Sequence, residues 1–270
     1  MNSSTPKPAA RQRLIYRLWA VAFILLGGLL LAYNLELFPP GLIPQTVKYW
    51  PLLIILLGLL FSTGRIAVSL PPSPFAIDRG EYQSGHLHLA AGIADAQVSA
   101  FVGASQLAMG QFPGHGGPRL QHNNGQARLS LDHRAVAPFL SGSWNVVLVK
   151  GLPWSFDLHS KIGNFNLNLR DLTVTTLGLR SIVGDVDLTL PAAGQGEMDL
   201  RLTLGDLTLR VPEGMAVRIK VADSPLANVQ TDRQRFVSSN SREWITPNFS
   251  ASPHRFTLLV DLMAGDLRVV

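Results

Sequence analysis

The residues best placed to do chemistry in this 270-residue chain are two histidines, His86 and His88. Residues two apart on a strand share one face of a sheet, so this pair could chelate a metal ion. Leu87 and Leu89 form the apolar set of the same alternation, which favours a solvated face for both histidines. The other five histidines have no partner at ligand spacing, and we therefore predict no metal site.

Signatures of catalysis are missing from the sequence. It contains no GxSxG, HExxH, P-loop or dinucleotide-binding pattern, and zero cysteines exclude thiolate nucleophiles, disulfides and cysteine zinc sites. The stretch from Gly110 to Gly125 is rich in Gly, Pro and Asn but lacks the Lys-Ser/Thr of a phosphate cradle, so we predict a loop. Asp185, Asp206 and Asp266 each follow a glycine and are assigned to turns. We predict no enzyme, no catalytic residue and no cofactor.

The elements that carry these residues are predicted from a repeat. Four glycines recur at an interval of 21 residues: Gly142, Gly163, Gly184 and Gly205. Apolar residues occupy the second, fourth and sixth places after each glycine, which is typical of strands with one buried face. A fixed period of about 20 residues indicates stacked repeats. Gly265 starts a further, shorter copy, and glycine at each corner accepts positive φ. We predict an all-β solenoid over residues 81–270.

The N-terminal part of the sequence is predicted to cross a membrane twice. Apolar spans of roughly 18 to 22 residues begin at Leu18 and Tyr49, and each is long enough for a helix to cross the hydrocarbon core. No small-residue cleavage site follows the first span, so we expect it to remain as part of a hairpin rather than to be a signal peptide. The lipid bilayer is thus a predicted partner. We assign residues 1–17 to a basic tail, 18–68 to the transmembrane hairpin, and 69–80 to a Pro/Ser linker.

Basic residues of the tail predict the orientation. Lys7, Arg11, Arg13 and Arg17 supply four of the net five positive charges of the chain. The positive-inside rule keeps this tail in the cytoplasm, and two spans return the C-terminal domain to the same side. The sequence pI of about 9.9 is therefore mainly a topology signal, and we predict no nucleic-acid partner.

A polar segment interrupts the repeat between residues 222 and 255. It contains three aromatic residues, Phe236, Trp244 and Phe249. Two interpretations stay open: an excursion packed on the solenoid, or a recognition surface with these aromatics as candidate partner contacts.

Two parts of the sequence resemble the LiaF-like family of bacterial envelope-stress proteins. In the hairpin, ILLGGLLLAYNL and KYWPLLIILLGLL are similar to the paired helices of the family, and the matching positions are Asn34, Leu35, Trp50, Pro51 and Gly58. Farther on, GDVDLTLP, GDLTLRVPEGMAVRIKV and AGDLRVV are similar to its GDV-type strands, its Val-Pro-Glu-Gly turn and its closing strand.

This resemblance implies a single-stranded right-handed β-solenoid, called a toastrack, behind a LiaI/LiaF-type hairpin in the bacterial cell membrane. It implies a regulatory protein that modulates a membrane sensor histidine kinase of a two-component system. The family has no catalytic residues to transfer. The alternative is a structural, membrane-anchored scaffold that forms homo-oligomers through the open ends of its solenoid.

Overall fold

The computed structural model describes residues 72–113, 117–123, 125–132, 142–232, 234–240 and 242–270. Within these ranges the chain forms eighteen β-strands and no helix. The strands are β1 (Pro72–Asp78), β2 (Ser84–Ile93), β3 (Asp95–Phe101), β4 (Gln106–Pro113), β5 (Arg119–Asn123), β6 (Gln126–Asp132), β7 (Ser143–Val149), β8 (Pro153–Ile162), β9 (Phe165–Asn168), β10 (Thr173–Val183), β11 (Val186–Thr189), β12 (Gln195–Leu204), β13 (Leu207–Arg210), β14 (Ala216–Val221), β15 (Leu226–Thr231), β16 (Val237–Asn240), β17 (Glu243–Ile245) and β18 (Arg255–Val269). The predicted basic tail and transmembrane hairpin lie outside the described residues.

The strands stack in two ladders that share the long strand β18. The first ladder runs β5, β6, β2, β8, β10, β12, β18, β14, β17, β16. The second ladder runs β1, β4, β7, β3, β9, β11, β13, β18, β15. Central pairs are parallel, and the antiparallel pairs lie toward the ends of the ladders. The all-β prediction is confirmed for the described residues, whereas single-stranded right-handed winding stays a prediction.

The core is built from columns of apolar side chains in register. One column places Leu158 opposite Leu179, Leu179 opposite Leu200, and Leu200 opposite Val260. All four side chains are buried. Fully burying one such side chain stabilises a fold by about 1.5 to 3 kcal/mol, so each strand gains its stability from the neighbour above and below it.

The order of strands in the stack differs from their order in the chain. Strand β2 lies between β6 and β8, and β18 lies between β12 and β14. The alternation of buried and exposed residues is similar in β2, β6, β8, β12 and β18, so each of these strands is a suitable neighbour for the others. The sequence repeat therefore predicts stacking without specifying which strands become adjacent.

Two predicted boundaries are corrected by the structure. Residues Pro72–Asp78, which we assigned to the linker, form β1 and pair antiparallel with β4. Prolines are tolerated there because a strand at the end of a ladder needs backbone donors on one side only. The predicted 110–125 loop is also shorter than expected, since β4 reaches Pro113 and Arg119–Asn123 forms β5.

Candidate functional site

A column of glycines forms the corner between the two ladders. Its members have φ between 138° and 145°: Gly163, Gly184, Gly205 and Gly265. A Cβ built on Gly184 would overlap the carbonyl oxygen of Gly163, and the same overlap recurs at the next two corners. Only glycine fits this close backbone approach. The amide of Asp95 donates to the carbonyl of Gly142 at 3.2 Å, so the corner at Ala94 lies between Gly142 and Gly163.

The residue after each corner links one strand level to the next, and we call these residues the corner ladder: Asp95, Asn164, Asp185, Asp206 and Asp266. A side-chain oxygen of each of the first four accepts a hydrogen bond from the backbone N–H of the following member, at 2.8 Å from Asn164 to Asp95 and at 2.9 Å for the other three. A bond of this kind contributes about 1 kcal/mol, more where the acceptor is charged. The accepting carboxylates therefore serve structure. Asp185 and Asp206 lie between strands, in agreement with their assignment to turns, whereas Asp266 lies within strand β18.

The outer face of the second ladder carries a shallow polar concavity. Its lining includes Asn166, Asp187, Thr208 and Arg268 beside the corner ladder. Asp187 accepts two hydrogen bonds from Arg210, and this pairing raises the pKa of the arginine. Asp187 is thus oriented by its own ion pair, and the concavity offers hydrogen-bonding groups rather than an acid–base pair.

His86 and His88 lie on the outer face of the first ladder, half-buried, as their alternation with Leu87 and Leu89 predicts. Nδ1 of His86 is 2.7 Å from Oγ of Ser155.

The statement that the remaining histidines lack a partner is wrong for His159. Both His88 and His159 contact Asp157, at 2.9 and 2.8 Å. We call His88, Asp157, His159 and the adjacent Asp132 the histidine cluster. Asp157 and His159 are two residues apart on β8, so the sequence alone places them on one face. It does not show that His88 joins them, because β2 and β8 are far apart in the chain.

Two groups at this face have displaced pKa values. Burial lowers the pKa of His86, and the positive charge of Arg128 lowers it further. Partial burial by itself raises the pKa of Asp157, but the hydrogen bonds and charges of His88 and His159 outweigh it, so the net pKa lies below the ordinary value. Asp157 is therefore an ionised acceptor shared by two imidazoles.

The three aromatic candidates for partner contact are placed largely inside the domain. Phe236 and Phe249 are buried, and Trp244 on β17 is half-buried against the core. The guanidinium of Arg218 lies 4.6 Å from the ring centre of Phe249. In the described residues of the 222–255 segment, which include β15, β16 and β17, the aromatic side chains pack on the domain and offer little surface to a partner.

Comparison with protein families decides what this domain is. Residues 73–210 match the family model described as the N-terminal domain of toast_rack, DUF2154. The chain belongs to the toast-rack family. Residues 17–61 match the LiaI-LiaF-like transmembrane region, which makes this toast-rack protein a membrane protein of the envelope-stress type.

The five hairpin positions predicted from the resemblance lie outside the described residues: Asn34, Leu35, Trp50, Pro51 and Gly58. In the part of the chain that the structure describes, no helix is both long and apolar enough to span a bilayer.

Two solved structures were compared with this chain, both at low sequence identity. A structure described as a cell adhesion protein from Clostridium sporogenes is 16% identical, with a TM-score of 0.64, over 74% of this chain and 99% of that one. An adhesin structure from Bacteroides fragilis is 12% identical, with a TM-score of 0.31, over 76% and 100% of the two chains. No curated protein sequence matches significantly. The first likeness supports the fold of the described domain.

Proposed function

We propose that this toast-rack protein is a membrane-anchored regulator of the bacterial envelope-stress response that binds a membrane sensor histidine kinase. The observation that supports it is the presence, in one chain, of a LiaI-LiaF-like transmembrane region at 17–61 and a toast-rack domain from residue 73 onward. The anchor confines the domain to the membrane surface, where a membrane kinase is within reach. The basic N-terminal tail favours a cytoplasmic location for the domain, on the side of the kinase's catalytic core.

The outer face of the second ladder is the surface we assign to the partner. Phe236 and Phe249 are buried and offer no contact, so we assign the contact to the polar groups that this face presents in successive strands, Asp187, Thr208 and Arg268. Its strands are parallel and in register, so the backbone positions of these groups are fixed before binding.

Site-specific photo-crosslinking tests this assignment. The full chain is expressed in the native membrane with a photoreactive residue in place of Arg268, and the matched control carries it in place of Arg201, an exposed arginine on the outer face of the first ladder. We expect the position 268 probe to capture a histidine kinase and the position 201 probe to capture none. Capture from both positions would contradict the assigned face, and capture from neither would contradict the partner.

We further assign reception of the signal to the transmembrane hairpin, with the domain as the output arm. Small changes of bilayer thickness cost only fractions of a kcal/mol per Å, so a two-helix unit can respond in a graded way. Exchanging residues 14–68 for an unrelated two-span hairpin should abolish the response of a stress-reporter gene to a membrane-active antibiotic. A chimera that still responds normally would place sensing elsewhere.

Self-association is the second candidate function, and the edge strand β15 favours it. In the described residues β15 pairs with β18, and its first residue, Leu226, is exposed. The unpaired backbone N–H and C=O groups of an edge strand can pair with a second copy of the chain. The opposite end of the same ladder is less suited to receive it, because Pro72 and Pro74 remove two backbone donors from β1.

Sedimentation of the full chain in detergent distinguishes the scaffold from the regulator. A scaffold should form larger species as concentration rises, and Leu226→Lys should prevent this by placing a charge on the edge. A mass that stays constant with concentration would remove this candidate and leave the kinase proposal intact.

A further inference from the structure

The histidine cluster on the first ladder holds three metal-ligand groups within reach of one ion. One ligand atom each from His88, Asp157 and His159 lies within 4.8 Å of the other two. Nδ1 of His88 is 2.9 Å from one carboxylate oxygen of Asp157, and Nε2 of His159 is 2.8 Å from the other. Two imidazoles therefore converge on a single carboxylate.

Strand register produces this convergence and keeps its surroundings open. In the β2–β8 pair, His88 lies opposite Asp157, and Ala90 lies opposite His159. On the other side, Asp157 lies opposite Gly178 of β10. Even a Cβ on Gly178 would come within 3.8 Å of a carboxylate oxygen of Asp157, so a larger side chain there would cover the carboxylate. Ala90 and Gly178 are small and leave His159 and Asp157 accessible from solvent on those sides, whereas Arg180 of β10 lies opposite His159 on its other side.

We propose that His88, Asp157 and His159 bind one divalent transition-metal ion of the zinc class. Imidazole nitrogens and a carboxylate oxygen are ligands that Zn²⁺ prefers, and three protein ligands leave a fourth position for water. The side chains of the three are 27%, 42% and 33% exposed, so an ion can enter directly from solvent. The site is separate from the polar face that we assign to the kinase.

Asp132 gives His88 the support that a metal-binding imidazole needs. Its Oδ1 lies 3.6 Å from Nε2 of His88, on the opposite side of the ring from Asp157. This distance is longer than a direct hydrogen bond. When an ion replaces the proton that Nδ1 directs at Asp157, the proton of His88 moves to Nε2, where the negative charge of Asp132 favours it.

Zn²⁺ titration of the full chain tests the proposal. The protein is purified in detergent through a tag without histidine and stripped with a chelator, and binding is measured by calorimetry. We expect one Zn²⁺ per chain, a loss of more than about tenfold in affinity for His159→Ala and Asp157→Asn, and a loss of about tenfold for Asp132→Asn. The matched control is His86→Ala, on the same strand and face but bonded to Ser155, and it should bind as the unsubstituted chain does.

Thermal unfolding with and without Zn²⁺ separates lost ligands from lost structure. Zn²⁺ should raise the Tm of the unsubstituted chain and of His86→Ala, because an ion that binds the folded state stabilises it. It should raise the Tm of His159→Ala by clearly less than that of the unsubstituted chain, while the Tm of this variant without metal stays close to that of the unsubstituted chain. Failure of the unsubstituted chain to bind Zn²⁺, undiminished binding by His159→Ala, or equal loss in His86→Ala would each overturn the proposal.

Discussion

Replacing Gly184 with alanine should destabilise the domain far more than replacing Gly178, although the two glycines are six residues apart in the chain. Gly184 has φ of 138°, and a Cβ there would overlap the carbonyl oxygen of Gly163. Backbone strain of this kind costs about 1 to 3 kcal/mol, and forcing packed neighbours apart costs about 1 to 3 kcal/mol more. Gly184→Ala should therefore lower the free energy of unfolding by about 2 to 6 kcal/mol, a large share of the typical 5 to 15.

Gly178 is the matched control because the same methyl group fits there. Its nearest atoms would be 3.8 Å from the new Cβ, an ordinary contact, and its φ is outside the positive range. Gly178→Ala within strand β10 should be neutral or stabilise by up to about 1 kcal/mol through the unfolded chain.

The assay is thermal unfolding of the full chain in detergent, followed by the β-sheet signal in circular dichroism. For a domain of this size each kcal/mol shifts Tm by about 2 to 4 °C, so Gly184→Ala should lower Tm by at least about 4 °C. Equal Tm values for the two variants would refute the argument that backbone approach at the corner requires glycine.

Three further predictions follow from named contacts. Asp185→Ala should cost about 1 kcal/mol in urea unfolding because the Asp206 N–H loses its acceptor, whereas Asp185→Asn should be nearly neutral because it retains an acceptor oxygen. Phe236→Ala should cost about 3 to 5 kcal/mol, while Leu226→Ala at the exposed edge should stay within about 0.5 kcal/mol; similar losses for both would contradict the burial of Phe236. A reporter fused after Val270 should be active only in its cytoplasmic form, and activity outside the membrane would reverse the predicted orientation.

The sequence correctly predicted which residues of a strand are buried, but it did not predict which strands lie side by side. Alternation within each strand depends on local chemistry, so the buried sets of β9, β11 and β13 follow directly from the residues after Gly163, Gly184 and Gly205. The predicted linker over residues 69–80 extended too far, because Pro72 and Pro74 are typical of linkers. An edge strand also tolerates prolines when it pairs on one side only, as β1 does with β4. The aromatics of the 222–255 segment could not be assigned to core or surface because their burial depends on β14 and the long strand β18.

By itself, the sequence determined the all-β repeat and its glycine corners. The alternation of apolar and polar residues and the 21-residue interval between glycines can both be read directly along the chain. The resemblance of the chain also led to the toast-rack family, whose model matches residues 73–210. Only the tertiary structure decided that β2 enters between β6 and β8 and that β18 enters between β12 and β14. Those placements bring His88 onto Asp157, 69 residues away in sequence, and link Asp266 to Asp206, 60 residues away. Contacts of this kind arise from the registration of distant strands, which is set by the packing of the whole core.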